Sequence, residues 1–289
     1  MYKALNYWVF GGFEGVKSPK EFIDFAAEQK LDGIELTVGD AIKADITEAE
    51  CRKIAKYAAE KGVGLRTLAT GMYGEMSLGA ADEDERQQAL AFTKKYMQIA
   101  NWMGVKTILV IPGATCVAWN PGRPIVPYKT VWEKSTESLK ELLPLAESLG
   151  ITIALENVWT RFLFSPMEWK CFIEQFNSTN IGMYFDVGNA SILAKPEDFV
   201  EILGDKIKAV HLKNFAGSDC GGGLHGFGDD LLAGDVDYKP IFKAFDAIGY
   251  KGTFTVEMIP FSRLPDLVLP DAALAAKVVG EIKELEGLA

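Results

Sequence analysis

Four side chains able to bind a cation and move a proton recur along the second half of this 289-residue chain: Glu156, Asp186, His211 and Glu257. Each stands late in a short apolar run, at 152–158 (TIALENV), 181–187 (IGMYFDV), 207–214 (IKAVHLKN) and 252–259 (GTFTVEMI). Three carboxylates drawn into one low-dielectric pocket repel one another unless a cation or protons compensate. Three oxygen donors and one imidazole suit one divalent ion, Mn²⁺ first, with Mg²⁺, Co²⁺, Fe²⁺ or Zn²⁺ as alternatives. A thiolate-built structural zinc site does not fit this set. Taken singly, any of these acids reads as a surface or salt-bridge residue, and His211 as a core histidine. One per consecutive run, in the same phase, they read as a site.

Strand parity supplies that phase. Successive side chains of a strand point to opposite faces. Glu156, Asp186, His211 and Glu257 therefore share one face, above small neighbours such as Ala154, Ala209 and Thr255, while Leu155, Phe185, Val210, Leu212, Val256 and Met258 take the other. Four further runs, at 4–10, 33–38, 64–70 and 107–113, complete a set of eight strands.

Helical patterns alternate with them. Ser18-Pro19-Lys20-Glu21, Thr47-Glu48-Ala49-Glu50 and Ser165-Pro166-Met167-Glu168 are capping boxes, in which a hydroxyl and a glutamate three residues on satisfy each other's backbone N–H groups. Further helices are expected at 82–103, stopped by Gly104, and at 131–149, 196–203, 238–248 and 271–286. Eight strand–helix units in a chain of this length predict a single-domain α/β (β/α)8 TIM barrel spanning 1–289, since about 250 residues suffice for that fold. No GxGxxG follows the first strand and no GxxxxGK[ST] occurs, which removes the fingerprints of open nucleotide-binding sheets. Two irregular stretches, 114–130 and 215–237, follow strands 4 and 7 on the face where such barrels carry their chemistry.

A net charge of −10 makes nucleic acid and anionic membrane surfaces poor partners, leaving a small-molecule substrate. The N-terminal apolar run is too short for a signal peptide and no run reaches membrane-spanning length. Cys51, Cys116, Cys171 and Cys220 are scattered without a CxxC pair, as expected of reduced thiols in a cytoplasmic protein.

The chemistry open to such a site is removal of a proton beside a carbonyl. A metal polarises the carbonyl and hydroxyl oxygens, one carboxylate takes the proton and a second acid returns it to another face or carbon. Glu156 and Glu257, on strands 5 and 8, flank the site and suit that pair.

At these residues the chain resembles the xylose-isomerase-like sugar phosphate isomerase/epimerase superfamily. The segments that carry the likeness are PGA (112–114), LGITIALENVW (149–159), FLFSPMEW (162–169), MYFDVGN (183–189), IKAVHLKN (207–214), LLAGDVDY (231–238) and YKGTFTVEMIP (250–260). They look like L-ribulose-5-phosphate or L-xylulose-5-phosphate 3-epimerases and, more distantly, ketose 3-epimerases. The resemblance implies a TIM barrel, a divalent metal (often Mn²⁺), a sugar or sugar phosphate as substrate, and self-association into a homo-oligomer. It also implies that Glu156, Asp186, His211 and Glu257 are the metal ligands, with Glu156 and Glu257 as the catalytic pair. Two departures stand out: Asn189 takes the place of a histidine three positions after the metal aspartate, and the 215–237 stretch holds no arginine.

Further substrate contacts are expected from Asn189, from Arg161 just beyond strand 5, from Lys213 on the parity of His211, and from the aromatic faces of Trp8 and Trp119. Arg263 reads as structural and His225 as a solvated loop residue, while Trp102, Trp132 and Trp169 fall on helices as core. Rival readings are an inosose-type dehydratase or hydroxypyruvate-type isomerase on the same scaffold, and a non-catalytic sugar-binding or partner subunit. A DNA-repair endonuclease would need a histidine-rich zinc cluster, and the chain has two histidines.

Overall fold

A computed structural model describes residues 1–13, 15–217, 226–228, 230–257 and 271–287. Eight parallel strands pair in chain order and close: β1 (Tyr2–Asn6), β2 (Gly33–Thr37), β3 (Gly64–Ala69), β4 (Thr107–Val110), β5 (Thr152–Glu156), β6 (Ile181–Asp186), β7 (Ile207–Leu212) and β8 (Thr253–Val256). Closure is made by β1 pairing β8, with Tyr2 opposite Thr253 and Leu5 opposite Val256. Around them run α1 (Tyr7–Gly11), α2 (Pro19–Glu28), α3 (Glu48–Glu60), α4 (Glu83–Met103), α5 (Tyr128–Leu149), α6 (Pro166–Glu174), α7 (Val187–Ser191), α8 (Pro196–Leu203), α9 (Tyr238–Ala247) and α10 (Ala272–Glu286). No described helix is long and apolar enough to cross a membrane.

Two apolar layers result from the strand alternation. Leu155, Phe185, Val210, Leu212 and Val256 point outward and join one large core with the helices. A second cluster, Ala69, Leu109, Ala154, Tyr184 and Ala209, fills the barrel interior. Small residues at most of these inward positions leave depth for the polar side chains above them. Met258, expected to point outward, lies outside the described residues.

All three capping boxes form, at Ser18/Glu21, Thr47/Glu50 and Ser165/Glu168. Each such cap is worth about 1 kcal/mol. Gly104 ends α4 in the left-handed region (φ 74°), where a side chain would be strained.

Every strand ends before its apolar run does, and in two of them the same local device ends it. The run 4–10 is cut at Asn6, whose Oδ1 accepts from Trp8 N at 2.8 Å and starts α1. Likewise β6 stops at Asp186, whose Oδ1 accepts from Asn189 N at 2.7 Å and starts α7. In both, a short polar side chain offers the backbone a cap and the following apolar residues coil into a buried helical turn. The stretch 114–130 is tied to the barrel by Arg123, which donates to Gly74 O at 3.2 Å and pairs with Glu85.

Candidate metal centre and substrate pocket

The C-terminal ends of β5, β6 and β7 deliver Glu156, Asp186 and His211, and Glu257 follows β8 by one residue. Register brings them level. Asp186 pairs with His211 across β6 and β7, and Glu257 N donates to Leu212 O at 3.0 Å. One potential ligand atom from each of the four lies within 4.8 Å of the others. From His211 Nδ1 the carboxylate oxygens stand at 3.1 Å (Glu156 Oε1), 3.6 Å (Glu257 Oε2) and 3.9 Å (Asp186 Oδ2). All four residues are buried, none more than 6% exposed.

Two of the four, Asp186 and His211, are braced from behind. Asn157 grips the Asp186 backbone twice, its Nδ2 donating to Asp186 O and its Oδ1 accepting from Asp186 N, both at 2.8 Å. His211 Nε2 meets Glu35 Oε1 at 2.7 Å. Glu35 also accepts from Asn6 Nδ2 at 2.7 Å and from the Tyr184 hydroxyl. Held between these donors, the carboxylate steadies the ring with Nε2 turned to Glu35 and Nδ1 turned to the three acids, the orientation in which Nδ1 would face an ion. Glu35 was not foreseen as part of the site. Its signal in the sequence is an acid at an inward position of an otherwise apolar strand, GIELT (Gly33–Thr37).

The donor set fits a divalent ion. Asp186 Oδ2 is buried without a hydrogen bond of its own and turns toward the cluster, with the Lys213 ammonium 2.9 Å away. Burial pushes the Glu156 carboxyl up, to about 7, and Glu257 and Asp186 add to the rise against the opposing His211 contact. Asp186 is raised as well, by burial first and then by Glu257, against the pull of Lys213. Burial would lower the His211 pKa, yet Glu257 and Glu35 outweigh it and the imidazole is raised well above its usual value. A site that draws protons and an ammonium to its oxygens is one a divalent cation would neutralise.

Above the acids opens a cavity of about 390 Å³. Glu156, Glu257, Asn189 and Lys213 form its floor, and Trp8, Phe13, Trp119, Trp159 and Phe227 stand in its walls. The Trp8 ring is locked by Nε1 donating to Asp40 Oδ2 at 2.8 Å. Asn189 is fixed by donating from Nδ2 to Asn157 O at 2.9 Å. Six of the expected site residues thus line one cavity: Glu156, Glu257, Asn189, Lys213, Trp8 and Trp119. Asp186 and His211 lie with them in the ligand cluster. Arg161 is not in the lining; it is exposed, its backbone at φ 51°. His225, Arg263 and Cys220 lie outside the described residues.

Comparison with known proteins agrees with this fold. The family model described as xylose isomerase-like TIM barrel matches residues 23–283. SgbU of Escherichia coli (strain K12), an L-ribulose-5-phosphate 3-epimerase by provisional assignment, is 25% identical over 243 residues, covering 79% of each chain. The L-ribulose 3-epimerase of Mesorhizobium japonicum is 25% identical over 236 residues, covering 80% of this chain and 72% of its own. A crystal structure of D-psicose 3-epimerase with D-tagatose, from Clostridium cellulolyticum H10, superposes with a TM-score of 0.83 at 18% identity, covering 100% of this chain and 99% of that one. The named relatives are epimerases, which are isomerases, and the chain belongs to the xylose isomerase-like TIM barrel family.

Proposed function

We propose that the protein is a divalent-metal-dependent isomerase of a small sugar or sugar phosphate that moves a proton on a carbon beside the ketose carbonyl, with Mn²⁺ as the preferred ion. One observation carries the reading: three buried carboxylates and an imidazole nitrogen lie within 4.8 Å of one another, and two of the carboxylates, Glu156 and Glu257, line an aromatic-walled cavity. Glu156, Asp186, His211 and Glu257 would hold the ion. When bound, it supplies Lewis-acid polarisation of the substrate's carbonyl and hydroxyl oxygens and stabilises the charge of the enediolate.

The chain's own groups do the rest. Glu156 and Glu257 come from strands separated by β6 and β7, so they reach a bound sugar from two sides. One takes the proton from a carbon adjacent to the carbonyl. The other returns a proton to the opposite face of that carbon, which inverts it, or to the neighbouring carbon, which shifts the carbonyl. The Trp8, Trp119 and Trp159 faces cover the apolar C–H side of the sugar and exclude water while the proton is away. Asn189 and Lys213 supply donors for sugar oxygens at the cavity floor.

The test is incubation of Mn²⁺-loaded protein in heavy water with pentuloses, hexuloses and their phosphates, followed by NMR and mass spectrometry. Deuterium washed into one carbon, with an epimer or aldose as product, is the expected result. Loss of water instead would move the protein to a dehydratase. No exchange on any of them would end the proposal.

A further inference from the structure

Lys213 stands where the ion's own oxygens are. Its Nζ lies 2.6 Å from Glu257 Oε2 and 2.9 Å from Asp186 Oδ2, the same two oxygens that face His211 Nδ1. The side chain is buried, at 5% exposure, and its stem is let in by Gly188. A Cβ on Gly188 would meet Lys213 Cγ at 2.6 Å and its carbonyl oxygen at 2.8 Å, so any larger residue there would push the lysine aside. Lys213 also borders the cavity, with Nζ 5.1 Å from the centre of the Phe227 ring. The ammonium therefore sits between the carboxylates on one side and an aromatic-walled space on the other.

We infer that Lys213 is a tethered counter-ion that competes with the metal for Asp186 Oδ2 and Glu257 Oε2, and that metal uptake releases its ammonium toward the cavity, where it becomes a donor to substrate. The inference rests on the proposal that the four-residue cluster holds an ion. Its physics is short. Four carboxylates, those of Glu35, Glu156, Asp186 and Glu257, are buried together and each needs a positive partner. A lysine on the same oxygens keeps the acids from repelling one another when no ion is held. A divalent ion binds those oxygens more strongly, and two cations sharing them repel. Turning the last bonds of Lys213 away from the two oxygens relieves that repulsion, and the ammonium keeps the Phe227 ring that it already faces at 5.1 Å. Metal affinity is then lower than the donor set alone would give, and a loaded site presents a substrate contact that an unloaded one keeps to itself.

The test compares the wild-type chain with Lys213→Met, which keeps the stem and removes the charge. Mn²⁺ affinity of chelator-stripped protein is measured by calorimetry, and melting temperature is followed in EDTA. Mn²⁺ should bind at least about tenfold tighter to K213M, while its metal-free form melts lower than the wild type. Equal or weaker Mn²⁺ binding by folded K213M overturns the inference. A second measurement needs no variant: acetylation of Lys213 in wild-type protein, read by peptide mass spectrometry, should rise several-fold on adding Mn²⁺. Unchanged or reduced labelling also overturns it. Should K213M bind Mn²⁺ and the wild type not, the counter-ion role stands and the metal-dependent enzyme does not; should neither bind, both fall.

Discussion

The two halves of the barrel divide the labour. Strands β5 to β8 carry all four candidate ligands at their ends, whereas β1 to β4 and the segments after them supply Trp8, Thr70, Ile111 and Trp119 to the cavity wall. The first half reaches the ligand cluster through one carboxylate, Glu35, which touches His211 from below. On the proposed reading, the first half shapes and steadies the site, and the second half carries the chemistry along with Trp159 and Phe227 of the wall. Breaking each half in turn should therefore give different kinetic signatures.

The largest effect belongs to the second half. Glu257→Gln removes a ligand oxygen charge and one member of the proton-transfer pair, and kcat should fall by about 10³-fold or more, near the upper range for an acid–base group. Asp186→Asn should match it while also lowering Mn²⁺ occupancy. Retention of near-normal turnover in either variant would place the chemistry elsewhere.

Glu35→Gln tests the supporting half. The amide can still accept one hydrogen bond from His211 Nε2, but loses the charge that orients the ring. Mn²⁺ affinity should drop about 10- to 100-fold, the usual cost of losing a partner behind a metal-bound histidine. At saturating Mn²⁺ most of the turnover should return, which Glu257→Gln cannot show. An affinity equal to wild type would reduce Glu35 to a packing residue.

Acidity sharpens the same contrast. In the fold Glu156 holds its proton to about 7, against an ordinary value of 4.5. The folded chain therefore binds that proton more tightly than the unfolded chain. Without metal, stability should fall as pH rises from about 4.5 through 7, and the raised His211 works in the same direction. With saturating Mn²⁺ the slope should reverse, because an ion prefers deprotonated ligands. Melting temperatures across that window, with and without chelator, decide it; Glu156→Gln should flatten the metal-free slope.

How much of this was open to a reader of the sequence follows from the kind of signal each residue leaves. The clustering of the four candidate ligands is legible because strand parity and strand ends locate them without any knowledge of the third dimension. Lys213 was visible as an inward-facing cation, but its pairing with Asp186 and Glu257 depends on register across β6, β7 and β8, which the sequence does not state. Glu35 was passed over because one acid in one strand has no periodicity to betray it, and its partners lie 29, 149 and 176 positions away. The shortening of β1 was hidden for a local reason: Tyr7 to Phe10 are as apolar as a strand, and only the Asn6 side chain turns them into a helix. The barrel itself survives such errors, since eight alternating units set it and not the end of any one strand.

Smaller effects come from the walls. Trp119→Ala removes an aromatic face worth roughly 0.5–1.5 kcal/mol, so KM should rise by about tenfold at most while Mn²⁺ affinity stays level. A larger loss in kcat than in KM would mean that the wall also shapes the transition state.

Arg161 should give the smallest effect of all. On sequence grounds, an arginine just past β5 on the catalytic face invites a phosphate contact. In the fold its side chain is exposed and the cavity lining does not include it. Its backbone is held instead: Thr115 Oγ1 donates to Arg161 O at 3.1 Å, and φ is 51°. A non-glycine residue at that φ is strained, and glycine would relieve it. Arg161→Gly should therefore leave KM and Mn²⁺ affinity near wild type and hold or slightly raise the melting temperature, while Arg161→Ala, which keeps the strain, should change none of the three. A tenfold rise in KM for a sugar phosphate in both variants, with free ketoses unaffected, would instead make Arg161 a phosphate contact and extend the substrate site beyond the aromatic cavity.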